Sequence, residues 1–259
     1  MNKLTAFLAS LCFRFPSRSL TLVGVAGSEG RVETAEYIYS ILRQTGQDVG
    51  IITSRRQARN EEEVAYYLRI KVDRPKPFKL QRLLRELVYR GCTFVILEVL
   101  TEALADGRMC GMQFKVAVLA SLGHHHHLSR HVDSLTRENG LRAQCRLFRK
   151  TPLVILNKDA LDCAFLTRIA CGERITYGIH NEAQIKALKV QSGDWGTFFY
   201  FINKDSVWRS QLSFDRSIKL KQQDTNLIPC ALAAVGTAVA LSIPEFRIKK
   251  GLETARDLR

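Results

Sequence analysis

Two stretches of the sequence carry residue types that could handle phosphate groups or a metal ion. The segment from Gly27 to Thr34 has the sequence GSEGRVET and directly follows an apolar run. A glycine-rich turn between a buried strand and a helix is a common cradle for phosphate, because the first amides of the helix point at the anion. The second stretch combines Glu98 with a run of four histidines at 124–127, and carboxylate and imidazole groups are metal ligands.

The glycine-rich segment departs from a working phosphate loop in its chemistry. Such a loop has a lysine that reaches the phosphates and a Ser or Thr hydroxyl that binds Mg²⁺, whereas Arg31 and Val32 stand in those places. Arginine keeps the charge but not the compact ammonium geometry, and valine cannot bind a metal. Glu29 and Glu33 add negative charge beside the expected phosphate. A purely structural turn that needs two glycines is therefore the alternative interpretation.

The elements that must hold these residues alternate between strands and helices. An apolar strand at Leu20–Ala26, a helix at Glu33–Gln44 and a strand at Val49–Thr53 form a predicted βαβ unit. A helix at Lys79–Tyr89 and strands at Phe94–Val99, Phe114–Ser121 and Leu153–Asn157 continue the pattern. The sequence predicts an α/β fold with a mainly parallel, doubly wound sheet of the P-loop type and helices on both faces.

The C-terminal part of the chain has shorter segments of alternating polarity. Strands predicted at Ile185–Gln191, Thr197–Ile202 and Val207–Phe214 indicate an antiparallel edge or a small antiparallel β subdomain. A helix over Cys230–Leu241 is expected to close the fold.

The N-terminal segment Met1–Phe13 contains one lysine and a short apolar run, which superficially suggests a signal peptide. No small-x-small cleavage site follows before Arg14, so an amphipathic helix that packs on the domain is the favoured interpretation. No stretch reaches the roughly 20 apolar residues that a membrane span needs.

The composition is that of a globular protein with a strong positive charge. The 259 residues include 39 Lys and Arg against 25 Asp and Glu, a net charge of +14 that would attract nucleotides, nucleic acid or anionic membrane surfaces. The basic residues are scattered and lack a nucleic-acid-binding motif, so nucleic acid is not a favoured partner. Seven cysteines without a C-x-x-C pair predict mostly buried thiols and a cytoplasmic location.

Several segments, taken in order, resemble the central ATP-binding domain of the Mur ligases, in particular the enzymes related to UDP-N-acetylmuramoyl-tripeptide synthetase. The segment VGVAGSEGRVETAEYIYSILRQTGQDVGIITS is similar to that family's strand, G-T-N-G-K-T-T loop, helix and second strand. The segment PFKLQRLLRELVYRGCTFVILEVLTEALADGRMCGMQFKVAVLASL resembles its next helix, its E-V-S-S-H-x-L segment, a downstream arginine and a following strand. The segment CALAAVGTAVAL resembles its N-A-L-A-A helix.

The resemblance implies ATP and Mg²⁺ as cofactors and assigns expected roles to individual residues. Glu98 and His126 would bind the metal, with His127 as an alternative register, and Arg31 would act with them in catalysis. Asn157 would lie near the adenine ring, and Asp159 keeps one acid of an N-D-D stretch. The remaining nucleotide-binding positions would be Gly27, Ser28, Glu29, Gly30, Arg31, Val32 and Glu33.

The resemblance also implies a UDP-muramoyl peptide as substrate, contacted by Asp73, Arg74 and Arg108. Gln144 falls where the family carries a carbamylated lysine. Simpler interpretations stay open, because Glu98 could be a capping or salt-bridged carboxylate. Asp159 and Gln144 could be surface residues, and the histidine run a solvated loop.

The expected organisation is a helical segment at residues 1–19 and a Mur ligase-like central domain at residues 20–259. The family's C-terminal ligase domain is expected to be absent, so that a partner protein would supply the missing parts. By family the activity would be ATP-dependent amide bond formation, but the substituted lysine, threonine and carbamylated lysine positions predict weak or no catalysis. A non-catalytic protein that binds nucleotide, metal or a protein partner, and less favourably a basic nucleic-acid-binding module, are the alternatives.

Overall fold

The computed structural model describes residues 2–27, 29–54, 69–71, 76–120, 134–203 and 217–255. Within these ranges no helix is both long enough and apolar enough to cross a lipid bilayer. The helices described are α1 (Asn2–Cys12), α2 (Arg31–Arg43), α3 (Pro77–Tyr89), α4 (Thr101–Ala105), α5 (Ser134–Phe148), α6 (Cys163–Ile169), α7 (Ile228–Ala240) and α8 (Glu245–Thr254). The strands described are β1 (Thr21–Gly27), β2 (Val49–Thr53), β3 (Arg69–Lys71), β4 (Phe94–Glu98), β5 (Val116–Ala120), β6 (Leu153–Asn157), β7 (Glu173–Gly178), β8 (Ile185–Gly193), β9 (Gly196–Asn203) and β10 (Ser217–Leu220).

The described strands form one sheet in the order β10-β9-β8-β7-β6-β5-β1-β4-β2-β3. Pairing is parallel from β3 to β8 and antiparallel between β8, β9 and β10. Strand β1 lies between β4 and β5. The strands that follow β1 in the sequence therefore lie on both sides of it, with β2, β3 and β4 towards one edge of the sheet and β5 to β10 towards the other. The predicted α/β class and mainly parallel sheet are confirmed.

Both faces of the sheet are covered by helices, because the central strands are apolar on both sides. Along β1, Val23 and Val25 pack into the core under α2, α7 and α8, whereas Leu22 and Ala26 pack into the core under α3, α4, α5 and α6. Alternate residues of a strand point to opposite faces, so one short apolar strand serves two cores.

The structure shows how the antiparallel strands near the C-terminus join the rest of the fold, which the sequence left open. Strands β8 and β9 continue the main sheet as its antiparallel edge and do not form a separate layer. Strand β10 extends this edge at Ser217–Leu220, whereas the predicted strand at Val207–Phe214 lies outside the described residues.

The expectation that the helix near Cys230 closes the fold is wrong, because α8 follows it. Helix α8 contains Gly251, a residue that disfavours helix interiors and conceals the element in the sequence. The structure gives the reason for this glycine: a Cβ atom there would lie 2.4 Å from the Cα atom of Ile41 in α2. The glycine allows α8 to approach α2 closely.

The cysteines are less buried than the sequence suggested. Cys92, Cys163 and Cys230 are buried, Cys12 and Cys171 are exposed, and the other two are half-buried. All seven are free thiols. Location in an apolar stretch of sequence is a weak guide to burial, because helices such as α1 turn apolar residues to the surface.

Candidate nucleotide-binding site

The carboxyl ends of four neighbouring parallel strands meet at one edge of the sheet. Glu98 ends β4 and is in register with Val25 of β1, while Gly27 at the end of β1 is in register with Ala120 of β5. Ser54 follows the last residue of β2, the neighbour of β4 on the other side. Ligands of open α/β sheets bind at such an edge, where connections diverge to opposite sides.

The glycine-rich loop leaves β1 by a route that only glycine allows. Gly27 has φ = 144°, and a Cβ atom at this position would lie 2.2 Å from the carbonyl oxygen of Ala120. Gly30 has φ = 72° and immediately precedes α2. Helix α2 therefore begins at Arg31, two residues before the predicted start, and its first amides face the loop as in a phosphate site.

Arg31 is the first residue of α2 and turns its side chain back into the site. The guanidinium donates from Nη1 to the carbonyl oxygen of Gly27 at 2.5 Å and from Nε to Oε1 of Glu98 at 3.2 Å. The side chain of Glu98 is only 3% exposed, against 22% for Arg31. The loop arginine is therefore the counter-ion of a buried carboxylate.

Ser54 donates hydrogen bonds to the second oxygen of the same carboxylate. Its amide nitrogen and its hydroxyl donate to Oε2 of Glu98 at 2.7 and 2.8 Å. Sequence reasoning gave Ser54 no role, although a signal existed. Its position directly after β2 places it beside the end of β4 once the strand order is known.

Helix α2 packs against α7 behind the loop. The thiol of Cys230 in α7 donates to the carbonyl oxygen of Gly30 at 3.6 Å and so supports the loop from behind. Burial raises the pKa of this thiol to about 12, so the group is neutral at physiological pH. Burial likewise raises the pKa of Tyr37, about two turns further along α2.

A second cluster lies at the end of β6. The side-chain oxygen of Asn157 accepts a hydrogen bond from the amide of Asp159 at 2.8 Å. The carboxylate of Asp159 accepts from the amides of Ile179, His180 and Asn181 at 2.6, 3.3 and 2.8 Å. Asp159 thus holds the turn that follows β7, and the adenine-binding roles expected from the resemblance stay predictions.

The structure describes only some of the other expected site residues. Ser28, Asp73, Arg74, His126 and the alternative His127 lie outside the described residues.

Arg108 lies in the turn after α4, where Nη2 donates to Oδ2 of Asp106 at 2.6 Å. Glu29, Val32, Glu33 and Gln144 are half-buried. In the part of the chain that the structure describes, no group of three or more His, Cys, Asp or Glu residues could hold a metal ion.

Comparison with known proteins identifies the ancestry of this site. The model of the Mur ligase middle domain matches residues 25–222, a span that includes the loop, Glu98 and Ser54. The chain belongs to the Mur ligase family. The family resemblance deduced from the motifs is therefore confirmed.

Individual relatives agree with this assignment. The chain is 25% identical over 258 residues to the UDP-N-acetylmuramoyl-L-alanyl-D-glutamate–2,6-diaminopimelate ligase of Listeria monocytogenes serotype 4b, covering 96% of this chain and 49% of that protein. A solved structure of a ligase with the same name has a TM-score of 0.74 at 17% identity, covering 98% of this chain and 50% of the other. The structure of an FPGS–AMPPCP complex has a TM-score of 0.69 at 13% identity, covering 99% and 69%. The chain spans about half the length of the curated Mur ligases that it matches.

The described residues do not fit Mg²⁺ in the manner that Mur ligase ancestry implies. A Mg²⁺ ion requires oxygen ligands at about 2.0–2.1 Å in near-octahedral geometry, whereas the Glu98 carboxylate already accepts three hydrogen bonds from Arg31 and Ser54, which occupy most of its roughly four acceptor positions. Val32, in the place of the loop hydroxyl, offers no ligand atom. A phosphate group fits better, because Gly27 and Gly30 have positive φ and the N-terminus of α2 lies directly after Gly30.

Proposed function

We propose that this chain is a nucleotide-binding domain of Mur ligase descent with weak or no amide-ligase activity. The observation that carries the proposal is the Arg31–Glu98–Ser54 network, in which the loop cation neutralises the carboxylate expected to hold a metal ion. An internal arginine in that position makes the site independent of Mg²⁺.

The same network opposes efficient phosphoryl transfer. Activation of a carboxylate by ATP requires cations that stabilise the charge developing on the transferred phosphoryl group. Here the side chain of Arg31 is directed to Glu98 and to the carbonyl oxygen of Gly27, Val32 lacks a hydroxyl, and Gln144 lacks the negative charge of a carbamate. Each loss of this kind commonly costs about two to three orders of magnitude in rate, although losses within one unit do not add.

Nucleotide binding itself has independent support. The loop reverses at Gly27 and Gly30, α2 directs its N-terminus to the strand edge, and Cys230 holds the loop in place. The structurally similar FPGS binds AMPPCP, an analogue of ATP, in a complex with the same fold. We therefore propose ATP as the nucleotide, bound chiefly through its phosphates.

The acceptor side of the proposal rests on family descent. The relatives are named for UDP-N-acetylmuramoyl peptides, so we propose a molecule of this class as the second ligand, contacted by Asp73, Arg74 and Arg108. We also propose a protein as a binding partner of this chain.

Calorimetric titration of the 259-residue chain with ATP, once with Mg²⁺ and once with EDTA, tests the proposal. We expect affinities that agree within about threefold, because Arg31 already neutralises Glu98. ADP release in the presence of a UDP-muramoyl peptide and 2,6-diaminopimelate should stay at the background rate. Tight binding that requires Mg²⁺, or turnover that requires the acceptor, would contradict the proposal.

A variant that restores the family residues sharpens this test. Arg31→Lys combined with Val32→Thr removes the guanidinium that donates to Glu98 and to Gly27 and returns a hydroxyl, so ATP binding should become dependent on Mg²⁺. The matched control is Arg43→Lys at the exposed end of the same helix, which should leave the ratio of the two affinities unchanged.

A further inference from the structure

Helix α1 turns its large apolar side chains away from the protein. Leu4, Phe7, Leu8 and Leu11 are 66%, 45%, 44% and 53% exposed. Their spacing of three and four residues places them on one stripe of the helix. An amphipathic helix that only packs on its own domain would bury this stripe.

The buried side of α1 consists of small residues and is held in place. Ala6, Ala9 and Ser10 are fully buried, and the hydroxyl of Ser10 donates to the carbonyl oxygens of Ala6 and Cys110 at 3.0 and 3.3 Å. A Cβ atom at Gly111 would lie 2.5 Å from the Ser10 hydroxyl oxygen. The helix therefore cannot rotate to bury its leucines without losing this close contact.

Positive charge borders the apolar stripe. The segment from residue 2 to residue 27 contains Lys3, Arg14 and Arg18 and no acidic residue, and all three cations are exposed. The guanidinium of Arg18 lies 4.2 Å from the ring centre of Phe15, whose ring is 5.9 Å from that of Phe7. A cation is thus held beside the stripe by a chain of aromatic contacts.

Helix α3 packs beside α1 and has the same character. Phe78 and Tyr89 are 46% and 76% exposed. The exposed charged residues of α3 and its ends are basic except for Glu86, which pairs with Arg90 at 2.6 Å. We call the exposed sides of these two helices the α1–α3 surface, which includes Leu4, Phe7, Leu8, Leu11, Phe78 and Arg82.

We propose that the α1–α3 surface docks on an anionic lipid bilayer. A helix with an apolar stripe and basic flanks lies in the interface plane, with the apolar side chains among the acyl chains and the cations among the headgroups. The exposed leucines favour lipid over nucleic acid as the partner. Nucleic acids bind proteins through bases that stack on aromatic rings and through phosphates that contact cations, and neither contact uses a leucine side chain. A second copy of the chain would bring two basic surfaces together, which charge repulsion opposes.

Co-sedimentation with lipid vesicles tests this inference independently of nucleotide binding. The chain should bind vesicles that contain phosphatidylglycerol and phosphatidylcholine, and it should bind vesicles of phosphatidylcholine alone much more weakly. Leu8→Glu and Leu11→Glu should each weaken binding about tenfold, because an apolar side chain no longer enters the bilayer. Arg82→Gln should weaken it about fivefold.

Matched controls lie at the antiparallel edge of the sheet. Trp195 is 48% exposed and Lys221 is exposed, so Trp195→Glu and Lys221→Gln should leave vesicle binding unchanged. The circular dichroism melting curve of each variant verifies folding. Equal binding to both vesicle types would overturn the inference, as would binding that survives Leu8→Glu and Leu11→Glu together. Self-association or DNA binding that these leucine variants abolish, without vesicle binding, would assign the surface to another partner and also overturn it.

Discussion

Two carboxylates at the same edge of the sheet are held in different ways. Glu98 at the end of β4 accepts hydrogen bonds from the side chains of Arg31 and Ser54 and from one main-chain amide. Asp159 after β6 accepts from three consecutive main-chain amides, those of residues 179–181. The first carboxylate is neutralised by a side chain, whereas the second is built into the backbone of a turn.

This difference indicates that a bound ligand can change the hydrogen-bond partners of Glu98, whereas the hydrogen bonds of Asp159 maintain the fold. A guanidinium can exchange its carboxylate for another anion by a change of side-chain rotamers, and the buried Glu98 carboxylate then keeps its two hydrogen bonds from Ser54. Three amides cannot leave Asp159 unless the turn after β7 rearranges. We therefore expect substitutions at Asp159 to affect stability most and substitutions at Glu98 to affect nucleotide binding most.

The largest effect on stability is expected for Asp159→Ala. The substitution leaves three amides without their charged acceptor, and hydrogen bonds to charged groups contribute about 1.5–3 kcal/mol each when buried. Because two of these amides belong to exposed residues, we expect the free energy of unfolding to fall by about 3 kcal/mol in total. Urea denaturation followed by circular dichroism measures this change.

The control for this prediction is Asp194→Ala. Asp194 is exposed in the turn between β8 and β9, so its loss should change the free energy of unfolding by less than about 0.5 kcal/mol. Equal losses for the two variants would mean that Asp159 is a surface residue, as one interpretation of the sequence had it.

The sequence was sufficient for the elements whose pattern is local. The strands at Val49–Thr53 and Leu153–Asn157 have the predicted bounds, because a continuous apolar run between turns determines them. Helix α8 and strand β10 were missed, since Gly251 interrupts the helical signal and β10 has only four residues. These elements form because of what they pack against, and that information is not local.

The positions of the site residues were predictable from the sequence, but the contacts of their side chains were not. The contact between Arg31 and Glu98 brings the loop and this carboxylate together, whereas the catalytic and metal-binding roles expected of them stay predictions. The direction of the Arg31 side chain was not predictable, because it depends on the relative register of β1, β2 and β4. Of the roles left open for Glu98, the salt-bridged carboxylate is observed.

Glu98→Gln is expected to have an intermediate effect, which concerns ATP affinity. The sign of this effect distinguishes a site that binds the nucleotide without Mg²⁺ from one that requires it. Loss of the negative charge releases Arg31 from its ion pair and removes an anion near the phosphate position. ATP affinity measured in EDTA should therefore rise about tenfold, a typical size for one nearby charge at intermediate dielectric. If Glu98 instead recruits Mg²⁺ for the nucleotide, affinity measured with Mg²⁺ should fall. Glu102→Gln on the exposed surface of α4 is the control and should change neither value.

The smallest effect is expected for Ser54→Ala, which removes one of the two hydrogen bonds to Oε2 of Glu98 and keeps the other. The free energy of unfolding should fall by about 1 kcal/mol, the usual contribution of one such bond, whereas Ser19→Ala at an exposed position should have almost no effect. ATP affinity should stay within about twofold, because the ion pair with Arg31 is intact. A loss as large as that for Asp159→Ala would show that Glu98 is held as rigidly as Asp159, and the proposed division between a ligand-responsive and a structural carboxylate would then be wrong.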